Sequence, residues 1–258
     1  MVPESGVENL VVCREKTMLW HQRLGHVGEK GLRILHSKGM VEGMSNSSLN
    51  FDFCENCVYG KQNQVSFPSG RKRAKHILEL VHNDVFRPMK VPSLGKSMCY
   101  VIDDFSRNTW IYFLKKKSEV FDRCKEFKAL VENQTEKKIK VPRTDNSGEF
   151  CSKEFEEFCK KCGIARQKTT TYTPQQNRVA ERMNKMLMER ARSMLSGARL
   201  GEEFWVEAVE TTCYLVNISP SSVLEDKTPQ EVWTGTKPSL SHLRVFGCDA
   251  YVHVPKEK

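Results

Sequence analysis

What the chain lacks narrows its class first. No apolar run approaches the roughly 18 residues that a helix needs to cross a bilayer, so no membrane-spanning helix is predicted. The opening segment MVPESGVENLVVCREK has no basic stretch followed by an apolar core, so a secretory signal is not expected and a reducing compartment is. No internal repeat or low-complexity tract is present, which argues against solenoid and fibrous classes. Negative charge is also in short supply: 32 acidic residues stand against 41 Lys and Arg, a net charge of +9. A polyanion is therefore a reasonable partner, since clustered cations gain affinity for phosphates by releasing condensed counterions.

The remaining composition, 39% hydrophobic and 28% charged, is that of a globular protein, and 258 residues predict one domain of ordinary size plus a smaller one. Ten cysteines in a reducing compartment read as packing residues or metal ligands, so their spacing matters more than their number.

Residues 1–18 show no sustained periodicity and form a lead-in. The apolar spacing of Leu24, Val27, Leu32, Ile34 and Leu35 predicts a helix from Leu19 to Gly43. A compact FCENC follows, and then a polar, basic stretch over 61–76 that reads as a linker. Beyond it ILELVHNDVF, MCYVIDDF and NTWIYFLKKK read as strands. SEVFDRCKEFKALVENQ reads as a helix with Ser118 as N-cap, KKIKVPRTDN as a strand, and Ser152 to Cys162 as a helix closed by Gly163. IARQKTTTY reads as another strand and long helices follow, so an α/β fold is predicted, a mixed sheet covered by helices over 77–240. Residues 241–258 begin a further segment.

Two clusters carry chemistry. His21 and His26 have four residues between them, Cys54 and Cys57 have two, and the pairs are 27 residues apart. A tetrahedral zinc ion takes four nitrogen or sulfur ligands, and two short-spaced pairs supply them. The alternative is two buried cysteines near surface histidines; His36 reads as a helix-surface residue. Cys159 and Cys162 repeat the spacing without a second pair nearby and read as packing residues.

The second cluster is acidic. Phosphoryl transfer assisted by two divalent ions needs carboxylates from separate elements converging on one point. Asp84 at the end of LVHND, Asp145 after KIKVP and Glu181 on the helix after TPQQN are so placed. Each also suits a structural role: Asp145 to Gly148 is good turn chemistry, Asp84 can cap a turn before Pro88, and Glu181 complements a helix dipole. Asp103 and Asp104 compete for the same site, and spacing alone leaves the choice open.

HQRLGH with FCENC resembles the His-His-Cys-Cys pre-integrase zinc domain of copia-type long-terminal-repeat retrotransposons. ELVHNDVFRPM, YVIDDFSRNTWIYFLK, RTDNSGEF and TPQQNRVAERMN resemble successive blocks of that family's integrase catalytic core, and 35 residues separate Asp145 from Glu181, the family's interval. The resemblance runs from Leu19 to Tyr251. It implies a ribonuclease H-like fold, a mixed five-stranded sheet with flanking helices, behind a small helical zinc domain over 19–60. It also implies zinc on His21, His26, Cys54 and Cys57, and Mg²⁺ or Mn²⁺ on Asp84, Asp145 and Glu181, with Asp103 and Asp104 structural.

The activity implied is 3′-end processing and strand transfer of element DNA into host DNA, in the nucleus after a cytoplasmic particle stage, by a homo-oligomer. Lys185, Arg182, Arg178, Arg71, Lys72 and Arg73 are the candidate DNA contacts. The alternatives are a non-catalytic zinc-containing nucleic-acid-binding protein, relic or co-opted, and a nuclease that cuts without joining. Arg87, Ser147 and Arg178 stand where the family usually has glycine, and the segment from Gly95 to Asp103 is about two residues shorter. These departures predict retained zinc and DNA binding with weakened strand transfer.

Overall fold

The computed structural model describes residues 16–44, 54–60, 73–86, 97–144, 150, 152–168 and 174–250. Arg71, Lys72, Arg87, Asp145 and Ser147, and the side chain of Arg178, lie outside the described residues.

The N-terminal helical region is two helices, α1 (residues 16–23) and α2 (Glu29–Ser37), in place of the single helix predicted. The chain breaks at Gly25 and His26, both left-handed with φ of 59° and 60°. The break lets Leu24 and Val27, on either side of it, enter the core together with Leu32 and Leu35. A short α3 (Glu55–Gly60) carries Cys57. His36 does more than sit on a helix surface: its Nε2 lies 2.9 Å from the Met44 carbonyl oxygen and ties down the return from α2.

Five strands form one mixed sheet. β1 (Leu80–Phe86), β2 (Ser97–Asp103) and β3 (Thr109–Leu114) are an antiparallel meander; β4 (Val141–Thr144) runs parallel to β1 and β5 (Gln167–Lys168) parallel to β4. The order across the sheet is β3-β2-β1-β4-β5. β2 is buried at every position, as an inner strand covered on both faces should be. Its side chains alternate: Met98, Tyr100 and Ile102 join one core cluster, while Cys99 and Val101 face the clusters on the other side.

α4 (Val120–Thr135) covers the second face through Val120, Cys124, Phe127 and Val131. It begins after a 3-10 turn over Lys117–Glu119, so Glu119 rather than Ser118 holds the N-cap position, without a side-chain cap. α5 (Lys153–Lys161) starts as predicted, with the Ser152 hydroxyl accepting from the Phe155 N–H at 3.2 Å, and Gly163 follows it at φ 67°. Cys159 is buried and Cys162 half-buried, as packing residues.

The first face is covered by α6 (Pro174–Ala198) and α7 (Trp205–Asn217), with α8 (Pro229–Thr234) beyond them. Ala180, Leu187, Ala191 and Met194 form the buried stripe of α6. The same cluster contains Leu24, Leu32, Leu35, Val41 and Met44, so the zinc-type module and the sheet-bearing region share one hydrophobic core. Trp205 is buried in that core, and Trp233 packs edge-on against Trp110 on the other side at 4.8 Å between rings.

The Asp103-Asp104 corner is structural, as expected. Asp103 accepts from the Leu78 N–H at 2.8 Å and from both the N–H and the hydroxyl of Ser106 at 2.7 Å. Asp104 accepts from His82 Nε2 at 2.9 Å, Arg107 Nη1 at 3.0 Å and the Ala74 N–H at 2.8 Å. Burial pushes the Asp103 carboxyl up against the pull of its hydrogen bonds. In Asp104 the same burial effect is outweighed by His82, Arg107 and Ala74, which hold the carboxyl well below the usual carboxylate range.

Candidate metal centres and nucleic-acid face

The turn between α1 and α2 brings His26 back onto His21, and the start of α3 delivers the cysteines. The ligand atoms of His21, His26, Cys54 and Cys57 all lie within 4.8 Å of one another. His26 Nδ1 is 3.1 Å from His21 Nε2 and 3.4 Å from Cys54 Sγ; Cys57 Sγ is 3.3 Å from His21 Nε2 and 3.5 Å from His26 Nδ1. A zinc tetrahedron with ordinary bond lengths has N···N and N···S edges of about 3.3–3.6 Å. The four donors are thus gathered at close to the spacing that ion needs. His21 Nδ1 lies 2.8 Å from the Val27 carbonyl oxygen, which makes Nδ1 the protonated nitrogen and leaves Nε2 to face the other ligands. Asn56, between the cysteines, accepts from the Ser196 hydroxyl on α6 at 2.7 Å, anchoring the knuckle to that helix.

Of the three predicted carboxylates, the structure describes two. Asp84 sits inside β1 rather than at its end, paired in register with Tyr100 of β2. The register from Val81↔Asp103 to Phe86↔Met98 is continuous, so the shorter Gly95 to Asp103 segment does not break this pairing. Asp84 Oδ1 accepts from the Val85 N–H and Oδ2 from the Tyr100 hydroxyl, both at 2.8 Å. The same hydroxyl lies 3.0 Å from the carbonyl oxygen of Ala180, the residue before Glu181 on α6. Burial, then the negative charges of Asp84 and Glu181, raise the Tyr100 hydroxyl far above its ordinary value, so it stays protonated and can donate. One buried hydroxyl thus links β1 and α6, the two elements that carry Asp84 and Glu181. The described end of β4, Thr144, pairs with Asn83, next to Asp84.

The cations divide. Lys185 is exposed, with Nζ 3.9 Å from Glu189 on its own helix. Arg182 is exposed but lines a cavity with Arg107 and Arg190, on the side of α6 away from Glu181. Arg73 is engaged by backbone carbonyls of Asp104, Phe105 and Val223, so its guanidinium holds the corner of the sheet. Sequence reasoning missed Tyr100, Arg107 and Arg190. Nothing in the local sequence singles them out, because their roles follow from strand register and helix packing.

Residues 4–62 match the GAG-pre-integrase domain family and residues 75–174 the integrase core domain family. The chain is 48% identical over 242 residues to the retrovirus-related Pol polyprotein from transposon TNT 1-94 of Nicotiana tabacum, covering 93% of this chain and 18% of that one. It is 33% identical over 234 residues to the Pol polyprotein from transposon RE1 of Arabidopsis thaliana, covering 90% and 16%. The chain thus spans less than a fifth of the length of these curated relatives.

Among solved structures, the trimeric form of the HTLV-2 integrase catalytic core domain in complex with magnesium matches with a TM-score of 0.50 at 20% identity, over 62% of this chain and 99% of that one. The simian T-cell lymphotropic virus intasome in complex with the PP2A regulatory subunit B56 gamma matches with a TM-score of 0.54 at 18% identity, over 90% and 77%. At these identities the likeness establishes the fold, which is ribonuclease H-like. The domain matches, the Pol relatives and the His-His-Cys-Cys cluster agree: the chain belongs to the copia-type retrotransposon Pol family and carries its GAG-pre-integrase domain followed by its integrase core.

Proposed function

We propose that this chain is the integrase region of its element and performs metal-dependent 3′-end processing and strand transfer of element DNA into host DNA. The observation that carries this reading is that the Tyr100 hydroxyl meets both Asp84 on β1 and the Ala180 carbonyl of α6, one residue before Glu181, and so holds together the two elements that bear these carboxylates. Carboxylate oxygens are hard donors suited to Mg²⁺ or Mn²⁺, and Asp145, which follows β4 in the chain, is the third. When bound, such ions stabilise both the attacking and the leaving oxygen of a phosphodiester exchange. The protein's own contribution is position and charge. Val85 and Tyr100 fix the orientation of Asp84, α6 carries Glu181 at the face, and the exposed Lys185 one turn on offers a cation to a DNA phosphate. No covalent protein intermediate is required.

His21, His26, Cys54 and Cys57 would hold Zn²⁺ as a closed structural site, since all four positions of the tetrahedron are taken by protein. The partners are element ends and target DNA, the working form is a homo-oligomer, and the site of action is the nucleus after a cytoplasmic particle stage. Arg87, Ser147 and Arg178 flank the three carboxylates where the family usually has glycine, so strand transfer is weakened relative to the family while zinc and DNA binding are kept.

A strand-transfer assay with oligonucleotide element ends and Mn²⁺ tests the proposal. Joined product should fall by at least about 100-fold in Glu181→Gln and in Asp84→Asn, more than is lost on removing an outer hydrogen-bond partner of a ligand. Joining that is unaffected by Glu181→Gln overturns the assignment. DNA binding with neither cutting nor joining identifies a non-catalytic binding protein, and cut ends without joined product identify a nuclease.

A further inference from the structure

Beside its buried stripe, helix α6 has a second, partly buried face unrelated to the carboxylates. Val179, Arg182, Met183, Met186 and Arg190 recur at the spacing of one helical stripe, and Glu181 lies about 160° around the axis from its centre. This stripe forms one wall of a cavity of about 350 Å³; Arg107, Val216 and residues 219–223 form the others. That size lies in the range of small-molecule sites, roughly 300–1,000 Å³.

Its chemistry is one-sided. Most of the wall is apolar, the three charged side chains that line it among the described residues are all arginines, and no carboxylate faces it. Arg107 is offset by Asp104 at 3.0 Å, and Arg182 stands exposed. Arg190 also lines the wall, with its Nη1 set back out of solvent's reach. Burial lowers the Arg190 guanidinium to about 10, partly countered by the negative charge of Cys57, and it stays charged at neutral pH.

We propose that this cavity binds a small organic anion, its carboxylate or phosphate group accepting from Arg190 and Arg182 and its apolar body lying against Val179, Met186 and Val216. The site is separate from the carboxylate face and does not depend on the catalytic reading.

Calorimetric titration of the whole zinc-loaded chain with phenyl phosphate, benzoate and phenol tests it. Phenyl phosphate or benzoate should saturate one site, and the stronger of the two identifies the head group. Phenol, which lacks the charge, should bind at least about tenfold more weakly, as should the anion to Arg190→Met or Arg182→Met, the cost of one charge-assisted hydrogen bond. Lys185→Met, on another face of α6, should bind as the parent does. If Arg190→Met lowers the melting temperature, Met186→Trp serves instead, since it fills the cavity, keeps all three arginines and should abolish binding. The proposal is overturned if neither anion saturates the parent chain, if phenol binds as tightly, or if Met186→Trp binds unchanged.

Discussion

Tyr100 illustrates how a single residue can set a site it does not chemically join. Its ring is fully buried on the face of β2 under α6, and its hydroxyl is within hydrogen-bond reach of both Asp84 and the Ala180 carbonyl. Tyr100→Phe keeps the packing and removes the link. Mn²⁺ affinity should drop about tenfold, the scale for losing an outer partner of a metal ligand. The melting temperature should change little, and unchanged Mn²⁺ affinity would reduce Tyr100 to a packing residue.

His82 gives a second residue-scale expectation. It is fully buried, and burial holds its imidazole below its ordinary value despite the Asp104 hydrogen bond, with Arg143 and Arg107 acting in the same direction. The folded protein therefore keeps His82 neutral at pH values where the unfolded chain takes up a proton. Stability present above the unfolded value of about 6.5 is lost as pH falls below it, at up to about 1.4 kcal/mol per pH unit. Thermal melts between pH 7.5 and pH 5 in excess zinc should show that slope in the parent and a flatter one in His82→Gln; equal slopes would place the titration elsewhere.

At the scale of elements, the break between α1 and α2 decides whether the zinc-type cluster exists. A continuous helix would carry His21 and His26 about five residues apart along one rod, facing different directions. The left-handed pair Gly25-His26 folds the second ring back onto the first, at 4.8 Å and nearly perpendicular. Gly25 is also where the turn meets α7 and α6: a Cβ there would lie 2.8 Å from Leu215 Cδ1 and 3.3 Å from Met194 Sδ. Gly25→Ala thus combines a positive φ with overpacking and should cost about 1–3 kcal/mol, read as a lower denaturation midpoint. The periodicity of Leu24 to Leu35 was legible as helix, but the break was not, because its cause is the packing of a turn against distant helices.

For the molecule as a whole, the consequential fact is that the zinc-type module and the ribonuclease H-like sheet are built on one core. The basic stretch over 61–76 reads in sequence as a linker, and the regions on either side of it share a core, since Leu24, Leu32 and Leu35 pack in the same cluster as Leu187, Met194 and Leu215. Removing the metal from the His-His-Cys-Cys cluster should therefore lower the melting temperature of a single transition, by roughly 5–15 °C. A chelator that shifts only a minor early transition and leaves the main one in place would show two uncoupled units.

The sequence by itself determined the elements and the chemistry available to them: strand runs long enough to pair, an amphipathic α4, the Ser152 cap, the ligand pairs, and a tail of carboxylates at the family's spacing. Those features are local, set by periodicity, capping and the identity of donor atoms within a few residues. Tertiary structure alone decided which side chains meet. It gave Asp84 its partner across the β1–β2 register, turned Arg73 from a candidate DNA contact into a brace for the sheet corner, and aimed Arg182 toward a cavity rather than beside Glu181. Strand register and helix rotation are fixed by burial across the whole core, and that energy is shared among residues far apart in the chain.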